Sequence, residues 1–351
     1  MATFGKSGKS GKSGKSGKSG KSGKSGKSGT LFATDHAGGE MSGHLSLALA
    51  ISRDATVGDW QGGVDPVLQT LGARHARLSY LTPALRGDLI DQDLIGSVAV
   101  LRGAATASVE AQGHPIVTIT RPGNADFAGQ MPYLRAYADL REDRLPEILE
   151  QTDDLLSFFG AIAHLDDASR QWTLELLEAA VRFAVLVEMP LKHEFECPRP
   201  NAYSSNVQPI IQTPAHGSFP SGHACESFLI ATLLYRLAHS ESAHHGITNK
   251  ATFFRLAARI TANRTVAGVH FPFDNFAGAA LGCALGEHII ARARGAEVKT
   301  TIAFDPAAHA EDFSLDELAN VLSTEATTGP VAFDHVPIVR TFWDQAKAEW
   351  S

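Results

Sequence analysis

Residues 220–237 read PSGHACESFLIATLLYRL, a small-residue turn that runs straight into an apolar segment of helical spacing. A helix opening at Ser221-Gly222-His223 leaves its first backbone N–H groups unpaired and facing any anion in front of them. Gly222 lets that anion approach the backbone closely. Outward from this turn, Lys192 and Arg199-Pro200 lie before it, and Asn263-Arg264, His270 and Asp274 lie after it. Arg199 and Arg264 offer planar forks of donors, and Lys192 adds a compact point charge. Three fixed cations, a small-residue turn and two histidines make a site for a tetrahedral oxyanion. His270 precedes Phe271-Pro272, where proline suits the first turn of a new helix. Asp274 then falls in that turn and can reach back to one ring nitrogen of His270. Such a contact fixes the tautomer and leaves the other nitrogen free as ligand or nucleophile. His223, one turn from the anion, is placed for general acid–base work.

The ordered blocks K-x6-R-P, P-S-G-H and (S/N)R-x5-H-x3-D together resemble the signature shared by vanadium-dependent haloperoxidases and the type 2 phosphatidic acid phosphatase superfamily. The likeness is specific over residues 185–280 and looser from about residue 130 onward. Asn263 departs from the serine often found there but keeps a hydrogen-bonding group. The resemblance implies a mostly α-helical bundle with minor β-structure in the N-terminal third.

It also implies two chemistries. In a haloperoxidase, vanadate is the cofactor and His270 its one protein ligand. Lys192, Arg199, Ser221, the Gly222 N–H and Arg264 hold its oxygens, and His223 manages protons while hydrogen peroxide oxidises a halide. In a soluble phosphatase, His270 attacks phosphorus to give a phosphohistidine. His223 then protonates the leaving alkoxide and activates water. The haloperoxidase is the leading expectation, because the chain is long and His216 matches a position that is histidine in bromoperoxidases. A histidine there predicts that bromide and iodide are favoured over chloride. Met189, where haloperoxidases often carry tryptophan, points the other way. The sequence names no organic acceptor.

Composition sets the frame. Hydrophobic residues make up 44% and charged residues 20% of the 351, which fits a soluble globular protein. Residues 1–29 carry eight lysines and no acid, in a Gly-Lys-Ser repeat with nothing to bury, so they are expected to be a disordered tail. The remainder has 23 basic against 38 acidic residues, a net of −15, which argues against nucleic acid as a partner. No apolar leader and no run of about 18 apolar residues is present, so neither a signal peptide nor a membrane span is expected, and the protein reads as cytoplasmic or otherwise soluble. Cys197, Cys225 and Cys283 read as small core residues without a disulfide framework.

Residues 30–128 read as an irregular cover, with short strands at Ser97–Leu101 and Ile116–Thr120 and helices broken near Pro83 and Gly87. From residue 129 onward the pattern is that of a helical catalytic bundle. One helix runs from Leu134 to Phe159, bent or restarted at Pro146, with Arg141 to Arg144 as a solvated charged patch. Helices over Ala168–Val187 and Phe253–Ala262 deliver Lys192 and Arg264 just past their ends. Phe276–Ala291 reads as the central buried helix. His239, His244 and His245 cluster on a polar loop. Helices at 315–322 and Pro337–Trp350 are expected to pack on the bundle or on a second subunit, giving a homo-oligomer, a dimer or higher.

Overall fold

The computed structural model describes residues 43–58, 60–63, 74–295, 297–298, 301–323, 325–326, 331–332 and 337–351. The Gly-Lys-Ser repeat lies outside the described residues. The chain opens with helices α1 (Gly43–Val57), α2 (Arg74–Ser79) and α3 (Pro83–Ile95), the last started by Pro83 at its first position and the Thr82 hydroxyl as N-cap. Strands β1 (Ala99–Leu101), β2 (Thr106–Ala111) and β3 (His114–Thr120) follow as an antiparallel meander. Gln112-Gly113, both at positive φ, form the two-residue turn between β2 and β3. Then come α4 (Asn124–Tyr137), α5 (Arg141–Glu150), α6 (Leu156–Ala163), α7 (Gln171–Phe195), α8 (Pro200–Tyr203), α9 (Gly222–His239), α10 (Ala243–Thr248), α11 (Thr252–Val266) and α12 (Pro272–Arg294). The C-terminal part adds β4 (Glu297–Val298), β5 (Thr301–Phe304), α13 (Leu315–Ser323), β6 (Glu325–Ala326), β7 (Val331–Ala332) and α14 (Pro337–Ala348).

The fold is mostly α, as expected, and α12 is its axis. This helix is apolar on every face and buried along most of its length, the pattern of a core helix rather than a surface one. Gly278, Gly282 and Gly286 recur every four residues and form one stripe facing α9. A Cβ at Gly278 would overlap the Ser221 carbonyl oxygen, and one at Gly282 would overlap the Cys225 carbonyl oxygen. Glycine is therefore what lets the two backbones touch. Among the described residues no helix is long and apolar enough to cross a membrane. The three cysteines are free and buried, as packing residues.

Several elements differ from the sequence reading. The 30–128 region, where described, holds three helices and a sheet with one apolar face, made by Ala107, Val109 and Ala111 of β2 and Val117 and Ile119 of β3. Gly87 lies inside α3 and breaks nothing. The sheet is completed from the far end of the chain, in the order β1-β2-β3-β5-β6, with β5 parallel to β3. The span from Leu134 to Phe159 divides into α4, α5 and α6; Pro146 sits within α5, and the breaks fall on either side of that helix. Arg141 to Arg144 is not simply a solvated patch. Arg141 donates to the carbonyls of Val207, Gln208 and Val266, and Arg144 to Asn263 Oδ1 at 2.9 Å. His239 ends α9, while His244 and His245 belong to α10, where they meet Ser323 and Tyr235.

The glycine stripe is testable. Gly282→Ala must displace backbone of α9 and is expected to destabilise the protein by about 1–3 kcal/mol or more. Gly129→Ala, on an exposed part of α4 with open space around its α-carbon, is expected to be neutral or to stabilise by about 0.5–1 kcal/mol. Urea unfolding midpoints of the two variants check this, and equal midpoints contradict it.

Candidate oxyanion site

Two helix N-termini meet at the site. Ser221 is the N-cap of α9, yet its hydroxyl makes no capping bond and is buried without a hydrogen-bond partner. That leaves the hydroxyl and the first-turn amides of α9 available together. The Ser221 N–H donates to the Asp274 carbonyl oxygen at 2.9 Å, tying this turn to the first turn of α12. In that turn Pro272 fills the first position, and Asp274 Oδ2 accepts the N–H of Phe271 at 3.0 Å. The same oxygen lies 3.0 Å from His270 Nδ1. A neutral His270 therefore carries its proton on Nδ1 and a lone pair on Nε2.

The cations converge on that lone pair. Arg199, the N-cap residue of α8, places Nη1 2.9 Å from His270 Nε2 and 2.9 Å from the Val269 carbonyl oxygen. Lys192 lies inside the last turn of α7 rather than past it, and its Nζ donates to the Pro220 carbonyl oxygen. Arg264 likewise lies inside the last turn of α11. Both are almost wholly buried, because their helices carry them into the core before ending. Arg264 uses only Nη2, toward the Ile148 carbonyl and Gln151 Oε1, each at 3.2 Å. Its Nε and Nη1 are buried with no partner. Burial pushes Arg264 down to about 10, opposed by Glu226, and lowers Lys192 and Arg199 as well.

His270 is held well below its usual range, first by burial and then by Arg199, Lys192, His223 and Arg264. His223 is pushed down to about 3 by burial and the Arg264 charge. Its Nε2 lies 2.9 Å from the Gln151 carbonyl oxygen, which can only accept, so the neutral ring bears its lone pair on Nδ1. Burial pushes Asp274 up to about 7 against the pull of the Phe271 N–H, Arg199 and Lys192. All eight residues of the core constellation are thus brought together. His216 joins them indirectly and half-buried: Nδ1 is 3.3 Å from Arg199 Nη2, and its carbonyl oxygen accepts from Arg199 Nε at 3.2 Å.

Three residues of this neighbourhood escape the motif reading. Glu188, one turn before Lys192 on α7, is buried with Oε2 unpartnered, and its Oε1 lies 2.6 Å from where a Cβ on Gly222 would stand. Glycine at 222 is thus needed for space beside Glu188. Glu226, one turn beyond His223, shares with Glu188 a pKa raised by burial. Gln151, at the C-terminal cap of α5, contacts both Arg264 and His223. The i,i+4 spacing of Glu188 and Lys192 is a signal that sequence could supply; a lone glutamine at a helix end supplies none.

Asp274→Ala is expected to strand two buried donors, the Phe271 N–H and His270 Nδ1–H, at about 1–3 kcal/mol each. Asp274→Asn keeps an acceptor and is expected to lose less. Chemical denaturation of both variants checks the order, which a milder loss for alanine would reverse.

Residues 173–294 match the model of the PAP2 superfamily, a span that runs from α7 to α12 and contains every residue of the motif. No curated protein is similar enough to the chain to count as a match. Among solved structures, the first transmembrane PAP2 type phosphatidylglycerolphosphate phosphatase from Bacillus subtilis aligns at 22% identity and TM-score 0.30, over 47% of this chain and 82% of that one.

Proposed function

We propose that the segment matching the PAP2 superfamily hydrolyses phosphate monoesters through a phosphohistidine at His270. The observation that carries this reading is the lone pair on His270 Nε2, fixed by Asp274, among buried donors with no protein partner. Unpartnered buried donors are costly unless a ligand satisfies them. A tetrahedral phosphate monoester, with its cluster of oxygens, suits Ser221 Oγ, the α9 amides, Arg264 and Lys192. Arriving phosphoryl oxygens draw the Arg199 guanidinium off Nε2 and uncover the nucleophile.

Nε2 then attacks phosphorus, an N–P bond forms, and the ester P–O bond breaks. The leaving oxygen takes a proton from His223 Nδ1. In the second half His223 takes a proton from water as the water oxygen attacks phosphorus. The N–P bond breaks, the departing phosphate carries that proton away from His223, and both histidines return neutral. Lys192, Arg199 and Arg264 stabilise the charge on the equatorial oxygens throughout.

His270→Ala is expected to abolish turnover, and Lys192→Ala or Arg264→Ala to weaken phosphate binding by about 1.5–3 kcal/mol each. Because His223 is unprotonated in the free enzyme down to about pH 3, the required proton arrives with the substrate monoanion. Depressed histidine pKa values keep both rings neutral in mild acid, so the acid limb of kcat/KM lies below about pH 5. The basic limb follows the substrate's own second ionisation near about pH 6. The profile with an alkyl phosphate checks this; a bell centred above about pH 7 contradicts it.

A vanadate haloperoxidase remains the second reading, favoured by the His216 ring against Arg199. The unpartnered donors fit vanadate as they fit phosphate: His270 Nε2 would be its ligand, with Lys192, Arg199, Ser221, Gly222 and Arg264 on its oxygens. When bound, vanadate would supply a Lewis acid that polarises peroxide. Under this reading the vanadate-loaded protein oxidises bromide and iodide with peroxide and chloride poorly, and His216→Phe shifts the ratio toward chloride. Halide rates before and after the substitution decide it, and an unloaded-level rate for every halide removes the reading.

A further inference from the structure

Gln151 closes α5 and lies outside the segment that matches the superfamily. Its side chain is 1% exposed. Oε1 accepts from Arg264 Nη2 at 3.2 Å and from Asn263 Nδ2 at 3.0 Å. Two donors on one atom settle the amide orientation, since the NH2 end cannot accept either. Asn263 is held in turn by Arg144 and by Glu147 Oε2, the latter paired with Arg259. The backbone carbonyl of the same residue takes the His223 Nε2–H. Gln151 thus touches both Arg264, whose Nε and Nη1 have no partner, and the acid–base histidine.

Its Nε2 is buried with no partner. Among the other unpartnered atoms of the site, Arg264 Nε and Nη1 and Ser221 Oγ are donors too, beside the acceptors Glu188 Oε2 and Asp274 Oδ1. No protein acceptor serves any of these donors.

We propose that Gln151 is a further oxyanion-binding residue of this site, its Oε1 anchoring Arg264 and its Nε2 donating to the bound oxyanion. This rests on the oxyanion reading above and adds a neutral donor on the His223 side, supplied by α5. The asparagine before Arg264 has its reason here, because its amide donates to Gln151 Oε1 and helps lock that orientation.

The test is equilibrium binding of inorganic phosphate to the full chain, with four proteins: wild type, Gln151→Met, Arg264→Lys and the double variant. Methionine keeps the volume and removes both polar atoms. Gln151→Met is expected to weaken phosphate roughly tenfold to a hundredfold, as for loss of a bond to a charged group. A donor acting directly keeps much of that factor in the Arg264→Lys background; a residue acting only through Arg264 loses it. A vanished factor in that background, or wild-type affinity in Gln151→Met, overturns the proposal and leaves the phosphatase reading standing. Absence of phosphate binding by folded wild type overturns both. If Gln151→Met fails to fold, Gln151→Glu retains the acceptor for Arg264 and Asn263. It is expected to bind phosphate at least as weakly, and wild-type affinity in it overturns the donor role.

Discussion

The hydrogen bond from Ser221 N–H to the Asp274 carbonyl joins the first turns of α9 and α12, and the site hangs from that junction. It forms only because Gly278 presents no Cβ to the Ser221 carbonyl oxygen. With the two N-termini pinned side by side, the α9 amides and His270 come to face one small volume. Helix α7 then contributes Lys192, α8 Arg199 and α11 Arg264. Each packs into the same core and brings its cation in from a different direction.

Burying three cations is expensive, and this fold lowers that cost in two ways. Carbonyl oxygens take up part of the donor capacity: those of Pro220 for Lys192, Val269, His216 and Gly217 for Arg199, and Ile148 for Arg264. Acidic side chains supply the second: Asp274, Glu188 and Glu226 each interact with Lys192, which draws their burial-raised pKa values back down. What stays unsatisfied at the site includes donors at Arg264, Ser221 and Gln151, with Glu188 Oε2 and Asp274 Oδ1 as acceptors. A protein that leaves several buried donors without acceptors in one place has stored affinity for an anion. Burial, helped by the positive surroundings that make this affinity, also holds both imidazoles in their neutral form, so nucleophile and acid–base group start uncharged.

Much of this was legible in the chain, for a physical reason. Lys192, Arg199, Ser221, Gly222, His223, Arg264, His270 and Asp274 sit at helix ends whose spacing is local, so a short pattern records them. Pro272 and Asp274 announced the α12 start and the contact to His270. Boundaries were less visible: α7 and α11 run past the last obvious apolar residue because Lys192 and Arg264 are themselves buried. The parallel pairing of β3 with β5 joins distant segments, and no local pattern encodes it. Arg141 to Arg144 looked like a solvated run because charge alone does not reveal that Arg141 binds three backbone carbonyls and Arg144 reaches Asn263. Gln151 was invisible because its role depends on where α5 ends in space.

The central claim is that His270 Nε2 is a nucleophile toward phosphorus. Rapid quench of the protein during turnover of a phosphate monoester, followed by mass spectrometry under conditions that preserve N–P bonds, tests it directly. The account predicts a phosphoryl group on His270, absent from His270→Ala and accumulating in His223→Ala, where hydrolysis of the intermediate lacks its base. Steady turnover with His270 never phosphorylated, or with the phosphoryl group on another residue, would contradict it.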